Sequence, residues 1–248
     1  LGDSVKITDV IADLHDDPIL DEYSTICGEQ AAESIEARRV SVLKSGTNVI
    51  YAGGKLSRAT VTDKLTANEF RKAWRTFKDD KAREISKIIS PDMKTNTQPV
   101  DAAYFAVGHT DLAADVRACD GFIPAKEYAN GGALPGEIGA VEQVRVILTP
   151  LFEPWESVGA ATAVASVVET TNGTNADVYP LIVLARDCFG LVPLKGKESV
   201  KLTILNPDQA DKSDPNGQIG FVSWKHWFAC AILNQAWVLR IETGARTL

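Results

Sequence analysis

The side chains of this 248-residue sequence best suited to acid–base, nucleophilic or metal chemistry are His15, His109 and His226 and the cysteines Cys27, Cys119, Cys188 and Cys230. His15, Asp16 and Asp17 combine the donor types of a divalent metal site. Consecutive residues project in different directions, however, and Asp17 stands where a helix N-cap is expected. His109 and Asp111 could orient a substrate in an α/β hydrolase-like enzyme. No G-x-S-x-G elbow accompanies them, and packing at a strand-to-helix junction accounts for the histidine. No two cysteines form a C-x-x-C pair, and Cys27 on an apolar helix face and Cys230 in a strand-like run read as buried free thiols.

Other patterns fall short in the same way. Gly53-Gly54-Lys55 lacks the upstream glycine and following hydroxyl of a phosphate loop, and GGALPGEIG at 131–139 lacks the flanking strand and helix of a dinucleotide fingerprint. Both read as turns. Glu29, Glu33 and Glu36 form a carboxylate row without an E-x-x-H partner, which is an acidic stripe facing solvent or an interface. Trp224, Trp227 and Trp237 could stack bases or sugars, but on alternating strands they read as core. The sequence assigns no catalytic, cofactor-binding or metal-ligating residue, and no cofactor.

The element that organises the chain is a helix expected over residues 18–45. Asp17 as N-cap, Pro18 in the first turn and Gly46 as a C′ glycine mark its ends. Ile19, Tyr23, Ile26, Cys27, Ala31, Ile35 and Val42 recur at helical spacing, while Asp21, Glu22, Glu29, Glu33, Glu36 and Lys44 mostly fall on other faces. At ~1.5 Å per residue this helix runs about 42 Å. Gly28 in its middle costs ~1 kcal/mol relative to Ala, which marks a bend or a close backbone crossing. Residues 219–233 read as one extended strand of about 50 Å. A long helix along long strands leaves edges that must meet something, which points to assembly.

A capping box at Thr66-Ala67-Asn68-Glu69 opens a second helix that buries Phe70, Ala73, Trp74 and Phe77. Residues 84–89 and 102–107 read as buried strands, the second followed by a short helix capped at Thr110 or Asp111. Strands are also expected at 144–148, 178–186, 190–194, 199–205 and 236–243, and loops at 47–65, 121–139, 150–163, 170–177 and 206–218. Twenty-six Lys and Arg against 33 Asp and Glu give a net charge of -7. With no basic block to track a phosphate backbone, tight nucleic-acid binding is disfavoured. No apolar run reaches the ~18 residues of a membrane span and no signal sequence opens the chain, so a soluble, non-secreted protein is expected. A strand starting at residue 2 leads to the expectation of a preceding arm or hairpin.

Four stretches, 5–54, 102–124, 174–196 and 213–242, together resemble the major capsid proteins of tailed phages in the group related to coliphage N-four. The resemblance implies an α+β protein with the tailed-phage/herpesvirus capsid fold. Residues 1–50 would be the end of an extended hairpin and the peripheral domain with its spine helix, 51–205 mainly a mixed α/β axial domain, and 206–248 the returning strands of the peripheral domain. It implies a structural protein rather than an enzyme, assembling in the host cytoplasm as hexamers and pentamers of an icosahedral shell. That shell would enclose double-stranded DNA in the virion without sequence-specific binding. Scaffolding, portal and decoration proteins are the implied partners, and no membrane is involved. Glu33, Arg38 and Arg39 on the spine helix and the Trp155 loop are the candidate subunit contacts. An encapsulin-type shell of the same fold and an α/β hydrolase-like enzyme are the alternatives.

Overall fold

The computed structural model describes residues 1–10, 19–89, 97–128, 133–162, 168–194, 200–207 and 214–247. The expectations placed on His15, Asp16, Asp17 and Pro18 lie outside these residues. The elements begin β1 (Gly2–Thr8), α1 (Ile19–Lys44), β2 (Val49–Tyr51), α2 (Ala67–Asp79), β3 (Ile85–Ile89), β4 (Thr97–Gly108), α3 (Ala113–Arg117) and β5 (Phe122–Pro124). They continue β6 (Glu137–Val141), β7 (Val144–Leu148), β8 (Tyr179–Leu184), β9 (Phe189–Pro193), β10 (Lys201–Leu205), β11 (Ile219–Lys225), β12 (Phe228–Ile232) and β13 (Val238–Thr243). Contacts divide the chain into two compact units, Leu1–Arg39 with Leu191–Ala231, and Val40–Gly190 with Ile232–Leu248.

In the first unit, β11 is the middle of a three-stranded antiparallel sheet flanked by β1 and β10. Alternation puts Val5, Ile7, Val222 and Trp224 on one face, where they pack with Cys27, Ala31, Leu20 and Tyr23 of α1. Cys27, Ala31 and Ile35 are buried at a four-residue spacing, whereas Ile26, expected in the core, is 55% exposed. The helix rests on only part of the sheet. On β10, Leu202 and Ile204 point to the helix side yet are 43% and 46% exposed.

The second unit is built on a mixed sheet in the order β2-β13-β8-β4-β7-β6-β5, with β3 paired to β4. The β13–β2 and β4–β7 pairs are parallel. One face buries Phe70, Ala73 and Phe77 of α2 against Tyr104, Val146, Leu181, Val183, Leu239 and Ile241. The other buries Ile182, Val238 and Phe152 against Val40 and Leu43 from the last turn of α1. The α2 capping box forms as expected, with Glu69 Oε2 accepting from the Thr66 amide at 3.0 Å.

Several sequence expectations are corrected. Residues 219–233 are two strands, because β11 pairs with β1 and β10 while β12 pairs with β9, and the chain leaves one ladder for the other at His226 and Trp227. The end of α1 has no left-handed Gly46. Instead the Arg240 guanidinium donates to the Lys44 and Gly46 carbonyls, so a side chain does the work of a C′ glycine. The short helical segment after β4 is capped by His109 rather than by Thr110 or Asp111, its Nδ1 accepting from the Asp111 amide at 3.2 Å. Short strands β2 and β5 and the start of β6 lie in stretches read as loops, and the described part of β3 is half-exposed rather than buried. A Cβ added to Gly28 would meet nothing within 4 Å among the described residues, so none of their backbone crosses there.

Candidate assembly surfaces

Among the described residues no group of three or more His, Cys, Asp or Glu side chains is placed to hold a metal, and no helix is long and apolar enough to cross a membrane. All four cysteines are free, three of them buried, and burial pushes the Cys119 and Cys188 thiols up to about 11. His109 is occupied as a cap. Its ring lies 5.5 Å from that of Tyr179, whose hydroxyl donates to Asp111 Oδ2 at 2.9 Å; burial, then this bond, raises the Tyr179 pKa. The pair Asp111 and His109 is thereby explained as a strand-to-helix joint.

The charged surface of α1 is more open. Glu33 and Arg38 are exposed and make no ion pair with the described residues, while Arg39 Nη1 bonds Glu36 Oε2 at 3.0 Å. The Arg39 Nε is buried without a hydrogen-bond partner among the described residues. Glu22, Ile26, Glu29 and Glu33 follow at four, three and four residues, a single exposed stripe on the side away from Cys27, Ala31 and Ile35. Within the first unit, Gln30 ties helix to sheet, donating to Asp3 Oδ2 at 2.6 Å and accepting from Trp224 Nε1 at 3.2 Å.

In the second unit Trp155 is set among cations. Arg58 Cζ lies 3.6 Å from its ring centroid, Lys44 Nζ 5.0 Å and Arg240 Cζ 5.5 Å. Both arginines converge on Glu242, whose side chain is 0% exposed. Arg58 grips it through Nε and Nη2, each at 2.7 Å, and Arg240 donates through Nε at 2.7 Å. The Glu242 bond, outweighing desolvation, raises the Arg58 pKa. Trp155, a contact candidate by sequence, is thus held within its own chain and only half-buried. A second buried pair, Glu137 with Arg145 at 2.6 Å through two bonds, also takes the Tyr128 hydroxyl at 2.7 Å. A 660 Å³ groove beside α2 is lined by Gly53, Gly54, Lys64, Arg71, Lys72 and Arg75, among others. The glycine pair turns there with φ of 64° and 70°, and a Cβ on Gly53 would overlap Asp63.

Sequence reasoning missed two features. The Arg58–Glu242–Arg240 cluster joins residues 184 apart, and only strand pairing shows that Lys6, Lys201 and Lys225 share one sheet face. Alternation within each strand was the available signal for the lysines, but it does not say which strands are neighbours.

Residues 1–241 match the family of phage capsid proteins. The chain belongs to that family. It is 26% identical over 223 residues to the major capsid protein of Pseudomonas phage KPP21, an alignment covering 84% of this chain and 56% of that relative, so the chain spans little more than half the relative's length. The head structure of Helicobacter pylori bacteriophage KHP40 is similar over 99% of this capsid chain and 74% of its own, with a TM-score of 0.68 at 13% identity. The capsid of Ralstonia phage GP4 is similar over 100% and 73%, with a TM-score of 0.67 at 11% identity. The SrpI encapsulin complex of Synechococcus elongatus PCC 7942 reaches 0.58 at 12% identity over 100% and 75%. At these identities the likeness is one of fold, and the capsid chain has the α+β fold of tailed-phage shells.

Proposed function

We propose that this chain is the shell-building part of a major capsid protein, many copies of which assemble into an icosahedral phage head around packaged double-stranded DNA. The family match over residues 1–241 carries the reading. A net charge of -7 suits a container that holds DNA without gluing it. Hexamers and pentamers in the virion, assembly in the host cytoplasm, and scaffolding, portal and decoration partners belong to the same proposal. So does affinity with the group related to coliphage N-four, which rests on the four sequence stretches. Residues 1–50, with the spine helix, and 206–248, the returning strands, are proposed as the peripheral domain, and residues 51–205 as mainly the axial domain. No catalytic role is proposed.

Glu33, Arg38, Arg39 and the exposed part of the Trp155 loop are proposed as subunit contacts, supported by the open charges of α1. Individually modest contacts become collectively strong because each copy meets several neighbours. Negative-stain electron microscopy and sedimentation of the full-length protein, expressed with its neighbouring phage genes, test the reading. Closed shells or capsomer rings are expected. A persistent monomer under every assembly condition overturns it, and shells loaded with an enzyme cargo would favour the encapsulin alternative.

A further inference from the structure

We propose that the outward face of the β1–β11–β10 sheet receives the acidic α1 stripe of a second copy of this chain. This rests on the assembly reading and names the counter-surface for one of its contacts. The antiparallel register sets Gly2, Lys225 and Lys201 abreast, then Ser4, Ser223 and Thr203, then Lys6, Phe221 and Leu205. The residues between them, Val5, Ile7, Val222 and Trp224, pack with α1, so these rows point away from it. Lys6, Lys201 and Lys225 are exposed, Phe221 is 40% exposed, and no carboxylate stands in the three rows. The face is basic although the chain carries a net charge of -7. None of the three ammonium groups has an ion pair among the described residues, although Lys225 Nζ lies 4.9 Å from the Trp227 ring centroid.

The helix offers the complement. Glu22, Ile26, Glu29 and Glu33 are all exposed, with Ile26 at 55%. Glu22 to Glu33 spans about 16 Å at 1.5 Å per residue, and the Lys6 row lies about 14 Å from the Lys201 and Lys225 row at 3.4 Å per residue. Each surface sets apolar side chains, Ile26 on the helix and Phe221 with the half-buried Leu205 on the sheet, beside charges of one sign, opposite on the two surfaces. Apolar surface beside complementary charge is the make-up of a protein–protein contact. A phosphate backbone would satisfy the lysines but leave Phe221 uncovered, so a protein surface is the better occupant. Helix and sheet face lie on opposite sides of the same two-layer unit, so no copy can satisfy its own stripe. The contact is heterologous, the kind that repeats from copy to copy and forms a ring when the rotation closes.

Charge exchange in the full-length protein tests the contact. Lys6→Glu/Lys201→Glu/Lys225→Glu and Glu22→Lys/Glu29→Lys/Glu33→Lys are each expected to lower the yield of sedimenting assemblies about tenfold, and the combined six-site variant to recover most of it. If either triple variant assembles like the wild type, or the six-site variant stays as defective as the triples, the contact is wrong. Wild-type protein in the same run separates the two readings: if it stays monomeric, the shell assignment itself fails. Should a reversal variant lose its cooperative thermal transition, glutamine at the same positions repeats the comparison. Unchanged yield with glutamine on either surface also overturns the contact.

Discussion

The two units treat charge in opposite ways. In the second, carboxylates go inside with partners: Glu242 and Glu137 have no exposed side-chain surface, and between them they engage Arg58, Arg240 and Arg145. In the first, Glu22, Glu29, Glu33 and Arg38 stand exposed on α1, Phe221 leaves apolar surface beside exposed lysines on one face of the sheet, and Leu202 and Ile204 leave more on the other. Buried pairs are costly to desolvate and fix one geometry, while open charges cost little and remain available to another chain. The difference assigns internal rigidity to the second unit and leaves the first with surface that a single copy does not use.

The comparison is broken most forcefully at Glu242. Glu242→Ala leaves Arg58 and the buried Arg240 without their shared carboxylate and is expected to cost about 3–5 kcal/mol. The loss should appear as a lower urea midpoint with an unchanged slope. A midpoint within the range of an exposed-site substitution would show that these arginines find other acceptors and that the second unit does not depend on the cluster.

Glu137 gives a smaller effect with a pH signature. Burial alone would raise its pKa, but bonds from Arg145, the Leu134 amide and Tyr128 together bring it below 4.5. A carboxyl depressed in the folded state contributes stability that is present above its unfolded pKa and lost as pH falls through the folded one. Thermal stability should therefore fall on acidification below about pH 4, and Glu137→Gln should lower stability at neutral pH while flattening that acid limb. An equally steep acid limb in the variant would place the sensitivity elsewhere.

What the sequence made legible was local. The helical run of α1, the capping box of α2 and strands β7, β8, β10 and β13 follow from periodicity and local signals over a few turns or residues. What it hid depends on distant pairing. The run through residues 219–233 is continuous in hydropathy, and only the exchange of partners from β1 and β10 to β9 divides it. Val40 and Leu43 fell outside the expected face because they pack in a different unit, out of step with Cys27, Ala31 and Ile35. Among the contact candidates, the open charges of Glu33 and Arg38 could be read from helical spacing. The confinement of Trp155 by Arg58 and Arg240 could not, since those three residues come from separate segments.

Gly28 sharpens the comparison with the smallest change. Its site is exposed and an added Cβ meets nothing within 4 Å, so nothing among the described residues requires a glycine there. Gly28→Ala should stabilise the unassembled protein by ~1 kcal/mol through the lower backbone entropy of the unfolded chain. Calorimetry should register this as a rise of about 2–4 °C. The residue lies about 120° around the helix from Glu22 and further still from Ile26, off the Glu22–Glu33 stripe, so assembly yield should not change. A variant that melts higher yet assembles poorly would mean that a neighbouring copy approaches α1 on this side as well. The glycine would then be explained by a contact between copies rather than by any within one.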